Sequence, residues 1–248
     1  MSLWKLEWYR LFRTRRWIGL VVVYLLFGLL GPIITRYQEA LFRNVGGGIK
    51  VIAPPPTVAQ AVSSYVSNAS QVGLLVVVVI AAGSLGFDAR PEWAAFLRSR
   101  VPGPATILVP KFTLNAAAAV AAFVLGMLAA WYETVVLIGE VSIPAMIAGM
   151  AYGSLYLAFS VAVVALSAAL ARGVAGVAGL SLAVLIALPI LGQVGVMKPW
   201  LPSELVGAPV DLVGGGSAAT FLRAAGVSLG ATAVALWAAA RLLSAREV

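Results

Sequence analysis

Residues 87–111 read FDARPEWAAFLRSRVPGPATILVPK and carry six charged side chains: Asp88, Arg90, Glu92, Arg98, Arg100 and Lys111. The flanking runs, QVGLLVVVVIAAGSLG and FTLNAAAAVAAFVLGMLAAWY, carry none. These residue types suit recognition, not bond making. PEWAAFLRSR predicts about two turns of helix opening on Pro91, where the missing N–H is tolerated. Glu92 falls near the positive end of the helix dipole and Arg98 and Arg100 near the negative end. Trp93, Phe96 and Leu97 fall at i, i+3 and i+4 and share one apolar face. Pro102 and Pro104 stop the helix. A short helix of this kind needs a cover for its apolar face: the lipid interface, or a groove on a partner.

Other chemistry is excluded by residue type. The chain has no cysteine and no histidine. Disulfides, thiolate sites and a Ser-His-Asp triad are therefore impossible, and zinc would have to be held by carboxylates alone. No GxxxxGK[ST] loop is present, so ATP is not bound by that route. With no visible set of nucleophile and base, the chain is expected not to be an enzyme, and it needs neither a metal site nor a cofactor of its own.

Those residues are held by an unusually apolar chain. Of 248 residues, 62% are hydrophobic and 10% charged, where a soluble domain has about 25% charged. The expectation is an all-α integral membrane protein forming one transmembrane domain over residues 1–248. Six apolar runs mark its spans: roughly 17–35, 70–87, 112–132, 144–170, 174–195 and 221–240. Each is long enough to cross about 30 Å of hydrocarbon as a helix, and none alternates as a barrel strand does. With the N-terminus inside, twelve Lys and Arg fall on the inner side and five on the outer. The positive-inside rule then makes both termini and residues 88–110 cytoplasmic. The net charge of +8 accordingly reads as contact with membrane lipids, not nucleic acid.

Residues 1–16 predict a helix lying on the inner leaflet, with Trp4, Trp8, Leu11 and Phe12 on one side; the alternative is a plain basic flank of the first span. A breaker-rich loop occupies residues 46–57, with a short polar helix over 58–69. In the outer segment 198–216, Trp200, Leu201, Leu205 and Val206 are expected to dip into the outer interface or to form an ordinary loop. The membrane-deep parts of the spans hold no Asp, Glu, Lys or Arg to relay a proton. They do hold small residues that permit close helix contact: Gly149 with Gly153, and Gly173, Gly176 and Gly179 at every third position. Pro189 is expected to kink the fifth span. Tyr152, Tyr156 and Phe159 are expected to pack, and Asn115 and Gln193 are the amides at or near membrane depth.

The order of these features is specific: basic amphipathic N-terminus, span, outer loop, span, acidic residue, short helix, LxSRxPxxxxxLxxK, span. It resembles the permease subunit of type-2 ABC exporters. Asp88 matches the acidic residue after the second span, and FLRSRVPGPATILVPK, residues 96–111, matches the rest, including Ser99, Arg100 and Lys111. The chain differs in having Pro91 and Glu92 where a Gly-Thr is common, and Val101 before the proline. The resemblance implies an interfacial elbow helix, six spans and a cytoplasmic coupling helix in a prokaryotic plasma membrane. It also implies pairing with a second permease, identical or paralogous, and docking on two ATP-binding subunits that use ATP and Mg. Asp88, Glu92, Trp93, Phe96, Leu97, Arg98, Arg100 and Lys111 would then touch the ATPase, and Arg172, in the turn Ala171-Arg172-Gly173, would make a lesser inner contact. An apolar path suits a lipid, hydrophobic drug or peptide. The other classes open to such a sequence are a non-transporting assembly or scaffold protein and an energy-independent channel.

Overall fold

The computed structural model describes residues 3–45, 55–86 and 103–245. They form nine α-helices with no strand among them. Helix α1 (Leu3–Arg13) stands apart from α2 (Arg16–Val45). The break is at Arg15, whose φ of 54° is left-handed. Thr14 caps the end of α1, its hydroxyl donating to the Arg10 carbonyl at 2.8 Å.

Helix α3 (Val58–Asn68) starts where Pro55 and Pro56 give way to a capping box. The Gln60 N–H donates to the Thr57 hydroxyl at 3.3 Å, and the Thr57 N–H to the Gln60 side chain at 3.0 Å, satisfying two otherwise orphaned donors. A π-helical turn, Ala69–Gly73, joins α3 to α4 (Leu74–Leu85). Then follow α5 (Pro104–Leu137), α6 (Ile143–Leu170) and α7 (Gly173–Leu191). Two 3-10 turns and the six-residue α8 (Ala208–Val213) lead through a third 3-10 turn to α9 (Leu222–Ala245). Among the described residues, six helical stretches are long and apolar enough to cross a membrane: 16–39, 58–85, 105–137, 143–170, 173–191 and 218–245.

Helix α6 is the centre, with 72% of its apolar window buried, against 17% for α7. It packs on α4, α5, α7, α8 and α9, and α2 lies along α5. Close approach is set by glycines. A Cβ at Gly28 of α2 would run into the Gly126 backbone of α5, and one at Gly153 of α6 would lie 2.5 Å from the Phe123 ring. Gly149 does the same against α8, where a Cβ would meet Pro209 Cα at 2.7 Å. These contacts are van der Waals packing of the kind that holds helices together in lipid.

Two expectations are corrected. Gly173, Gly176 and Gly179 are exposed, and no neighbour lies within 3.4 Å of a Cβ built on any of them. Val177, Ser181 and Leu185, at four-residue steps, are what α7 buries. Nor do Leu201 and Leu205 turn outward: they are 9% and 0% exposed. The segment 202–213 folds back against α6, because protein atoms at the Gly149 notch receive it more closely than lipid could. Only Trp200 of that group is largely exposed, at 53%, with the Arg223 guanidinium 5.6 Å above its ring.

Candidate functional site

Asp88, Glu92, Trp93, Phe96, Leu97, Arg98 and Arg100 lie outside the described residues. The two ends of their segment are described. Helix α4 closes at Leu85, with the Gly86 N–H bonded to the Ala82 carbonyl at 2.9 Å, and α5 opens on Pro104.

A polar joint ties these ends together. The last carbonyls of a helix have no partner within it. One of them, on Ser84, accepts from Lys111 Nζ at 3.2 Å. One turn on, the Asn115 amide donates to Ser84 Oγ at 3.0 Å and to the Lys111 carbonyl at 2.7 Å. Lys111 and Asn115 are 6% and 7% exposed. Their i, i+4 spacing places both on the face of α5 that meets α4.

The N-terminal helix completes the joint. Glu7 is the one buried residue of α1, at 8% exposure, and its carboxylate pairs with Arg10 at 3.6 Å. Glu7, Arg10, Thr14 and Arg16 line a small pocket with Ser84 and Asn115. The Lys111 ammonium lies in the field of Glu7, Arg10 and Arg16. Among the described residues one carboxylate thus faces three cations, and burial strengthens its pull on Lys111 above all. Among the described residues no group of three His, Cys, Asp or Glu side chains could hold a metal ion. What the arrangement does chemically is tie α4 to α5 at one end of the bundle, with α1 packed against the joint.

The opposite side of α1 is apolar and outward. Trp4, Trp8 and Phe12 are 47%, 52% and 43% exposed, and the rings of Trp8 and Phe12 lie 4.8 Å apart. Leu11 departs from that group: it is half-buried and lines the polar pocket. Arg172 is exposed beside Gly173, whose φ of 71° makes the sharp turn into α7. Asn115 bonds between helices as described, while Gln193 is exposed after the end of α7. Tyr156 and Phe159 are buried with their rings 6.4 Å apart. The Tyr152 hydroxyl donates to the Ala218 carbonyl at 2.8 Å.

Sequence reasoning missed Glu7, Arg16 and Ser84. A signal for the first was present: Glu7 is the sole acidic residue before Glu39, in a segment otherwise basic. Ser84 gave none, because its value lies in a backbone carbonyl at a helix end.

No family model matches the chain. It is similar to the Bacillus subtilis (strain 168) protein described as the uncharacterized transmembrane protein YxlG. Identity is 23% over 212 residues, covering 83% of this chain and 81% of that protein. With six apolar helices of spanning length, the chain is a multi-span membrane protein.

Proposed function

We propose that the chain is the permease subunit of an ATP-driven ABC exporter. It forms a translocation path with a second permease, identical or paralogous, and two separate ATP-binding subunits hydrolyse ATP with Mg. The observation that carries this reading is the double fastening at Ser84, which takes hydrogen bonds from both Lys111 and Asn115. A cytoplasmic segment that receives force from a partner must pass it to the spans. If its two ends were free to splay, a push on residues 87–103 would be lost in bending the loop. Joined at Ser84, the ends of α4 and α5 move together, and Glu7 brings the N-terminal helix with them. Trp93, Phe96 and Leu97 fill a groove on the ATPase, and Arg98 and Arg100 pair with acids at its rim. Trp4, Trp8 and Phe12 rest in the inner leaflet as an elbow helix, with both termini in the cytoplasm of a prokaryotic cell.

The complex isolated through a tag on this chain should retain an ATPase subunit and hydrolyse ATP. Phe96→Ala should lower the ATPase retained per permease more than Arg98→Ala, since a buried aromatic anchor at an interface commonly contributes about 2–4 kcal/mol and a rim charge much less. Purification without any ATPase, together with solute uptake into vesicles driven by a pH step, would overturn the proposal.

A further inference from the structure

The turn between α1 and α2 gathers charge that the chain around it does not neutralise. Arg10, Arg13, Arg15 and Arg16 fall within one short run, and Glu7 is the sole acidic residue before Glu39. Glu7 is engaged with Arg10 at 3.6 Å. Among the described residues no carboxylate pairs with Arg13, Arg15 or Arg16. Arg13 and Arg15 are exposed, and Arg16 is half-buried. Arg16 reaches back over the end of α4, where a Cβ on Gly83 would lie 3.7 Å from a guanidinium nitrogen. The backbone is bent to make this display. Arg15, with its φ of 54°, holds a left-handed conformation in which few residues besides glycine, asparagine and aspartate are found.

Beside the arginines runs a row of rings. Trp8 and Phe12 lie 4.8 Å apart, and Phe12 and Trp17 5.8 Å, so the row crosses the turn from α1 into α2. Buried Glu7 and half-buried Leu3 and Leu11 set the side of α1 that meets the protein. By helical spacing, Trp4, Trp8 and Phe12 lie on one flank of that side, and Arg10 and Arg13 on the other. A helix built this way lies flat, with its rings at the acyl boundary and its cations level with the phosphates. The level is fixed independently. Arg16 opens the apolar stretch 16–39, so hydrocarbon begins within a turn of these arginines. A soluble acidic partner would have to reach them through the headgroup layer that surrounds them. The corner between α6 and α7 offers no such cluster, since Arg172 is the sole charged residue between 141 and 197.

We propose that the turn at residues 13–16 is a docking surface for anionic phospholipids of the inner leaflet: Arg13, Arg15 and Arg16 hold the headgroup phosphate, and Trp8, Phe12 and Trp17 lie against the acyl chains. A zwitterionic headgroup carries the same phosphate with an ammonium beside it, and so brings no net charge to three cations that lack a carboxylate. The assignment rests on the placement of α1 at the inner leaflet and on no other part of the exporter reading, since it needs neither ATP nor an ATPase.

The test titrates the full chain in detergent with phosphatidylglycerol or phosphatidylcholine of matched acyl chains and counts bound lipid by native mass spectrometry. One arginine near an anionic surface is worth about fivefold in affinity. Phosphatidylglycerol should therefore bind about a hundredfold more tightly at low ionic strength, and high salt should shrink the gap. Arg13→Gln, a change at an exposed helix position, should weaken phosphatidylglycerol about fivefold and leave phosphatidylcholine alone. Arg13→Gln, Arg15→Gln and Arg16→Gln combined should close the gap, and Arg172→Gln should leave it as it is. The chain has no cysteine, so a spin label on Phe12→Cys in bilayers reports where α1 lies, and it should sit in lipid. With the label in lipid, this proposal alone would be overturned by equal affinity for the two lipids, by a gap that survives the triple variant, or by equal losses in Arg13→Gln and Arg172→Gln. A label in water would overturn the placement of α1 as well.

Discussion

Around Lys111 and around Phe123 the bundle buries polar groups at two levels, and it treats them differently. At the end near α1, Glu7, Lys111 and Asn115 all have partners: Arg10 of the same helix for Glu7, and Ser84 of α4 for the other two. At mid-bundle Tyr24 and Tyr65 both pack on Phe123; the Tyr65 hydroxyl donates to the Phe123 carbonyl, and the Tyr24 hydroxyl has no partner among the described residues. In the first region the desolvation of polar groups is offset by pairing, and α4 and α5 are held to one another. In the second, a full complement of hydrogen bonds is forgone and a small cavity is kept beside Tyr24. Both regions answer to the same rule, that buried polar groups require partners, satisfied in one place and left open in the other.

The comparison breaks most sharply at Glu7. Glu7→Leu removes a carboxylate that faces Lys111, Arg10 and Arg16. Taking one side from a buried ionic cluster costs about 3–5 kcal/mol. The variant should melt several degrees lower in detergent, and protease should cut near residue 14 sooner as α1 detaches. An unchanged melting temperature would show that α1 is held by its apolar contacts alone.

Next in size are the glycines. Gly153→Val must push against the Phe123 ring, and overpacking of this kind costs about 1–3 kcal/mol. Gly179→Val meets open space and should leave the melting temperature within error. Equal effects at the two positions would remove the distinction between the packed face of α6 and the outward face of α7.

That distinction marks how far the sequence is legible. Six spans could be read because lipid demands long apolar runs, and the runs around Val76, Ala122 and Val163 say so without ambiguity. Gly153 and Gly179 could not be told apart, because spacing reports which residues share a helix face and not what stands opposite it. Leu205 is apolar enough for lipid or protein, so its inward turn was hidden until Gly149 was seen to admit Pro209. Lys111 and Asn115 were visible as polar residues at the edge of a span, but their common partner was not: it is the carbonyl and hydroxyl of Ser84, 27 residues before Lys111. The cavity beside Tyr24 had no sequence signal at all. A void is a property of how four helices meet, and the π-turn that widens it has no composition of its own.

The smallest expected effects come from the tyrosine pair, and they sharpen the comparison most. Tyr65→Phe deletes a hydroxyl bonded to the Phe123 carbonyl. The loss should be about 0.5–1.5 kcal/mol, at the lower end if the hydrogen bond behaves as those between helices in lipid do, at about 0.6 kcal/mol. Tyr24→Phe deletes a hydroxyl with no partner while keeping the ring that packs on Phe123 and over Gly73, where a Cβ would sit 2.8 Å from the ring. Stability should therefore hold or rise by up to about 1 kcal/mol, since an unsatisfied buried group is removed without loss of packing. The two variants differ by one oxygen each, on equally buried rings against the same neighbour, so differences in volume and rotamer entropy nearly cancel. Melting both in the same detergent reads the sign directly. A drop in Tyr24→Phe as large as that in Tyr65→Phe would mean that the Tyr24 hydroxyl has a partner inside the folded chain, and the contrast between the two levels of the bundle would go with it.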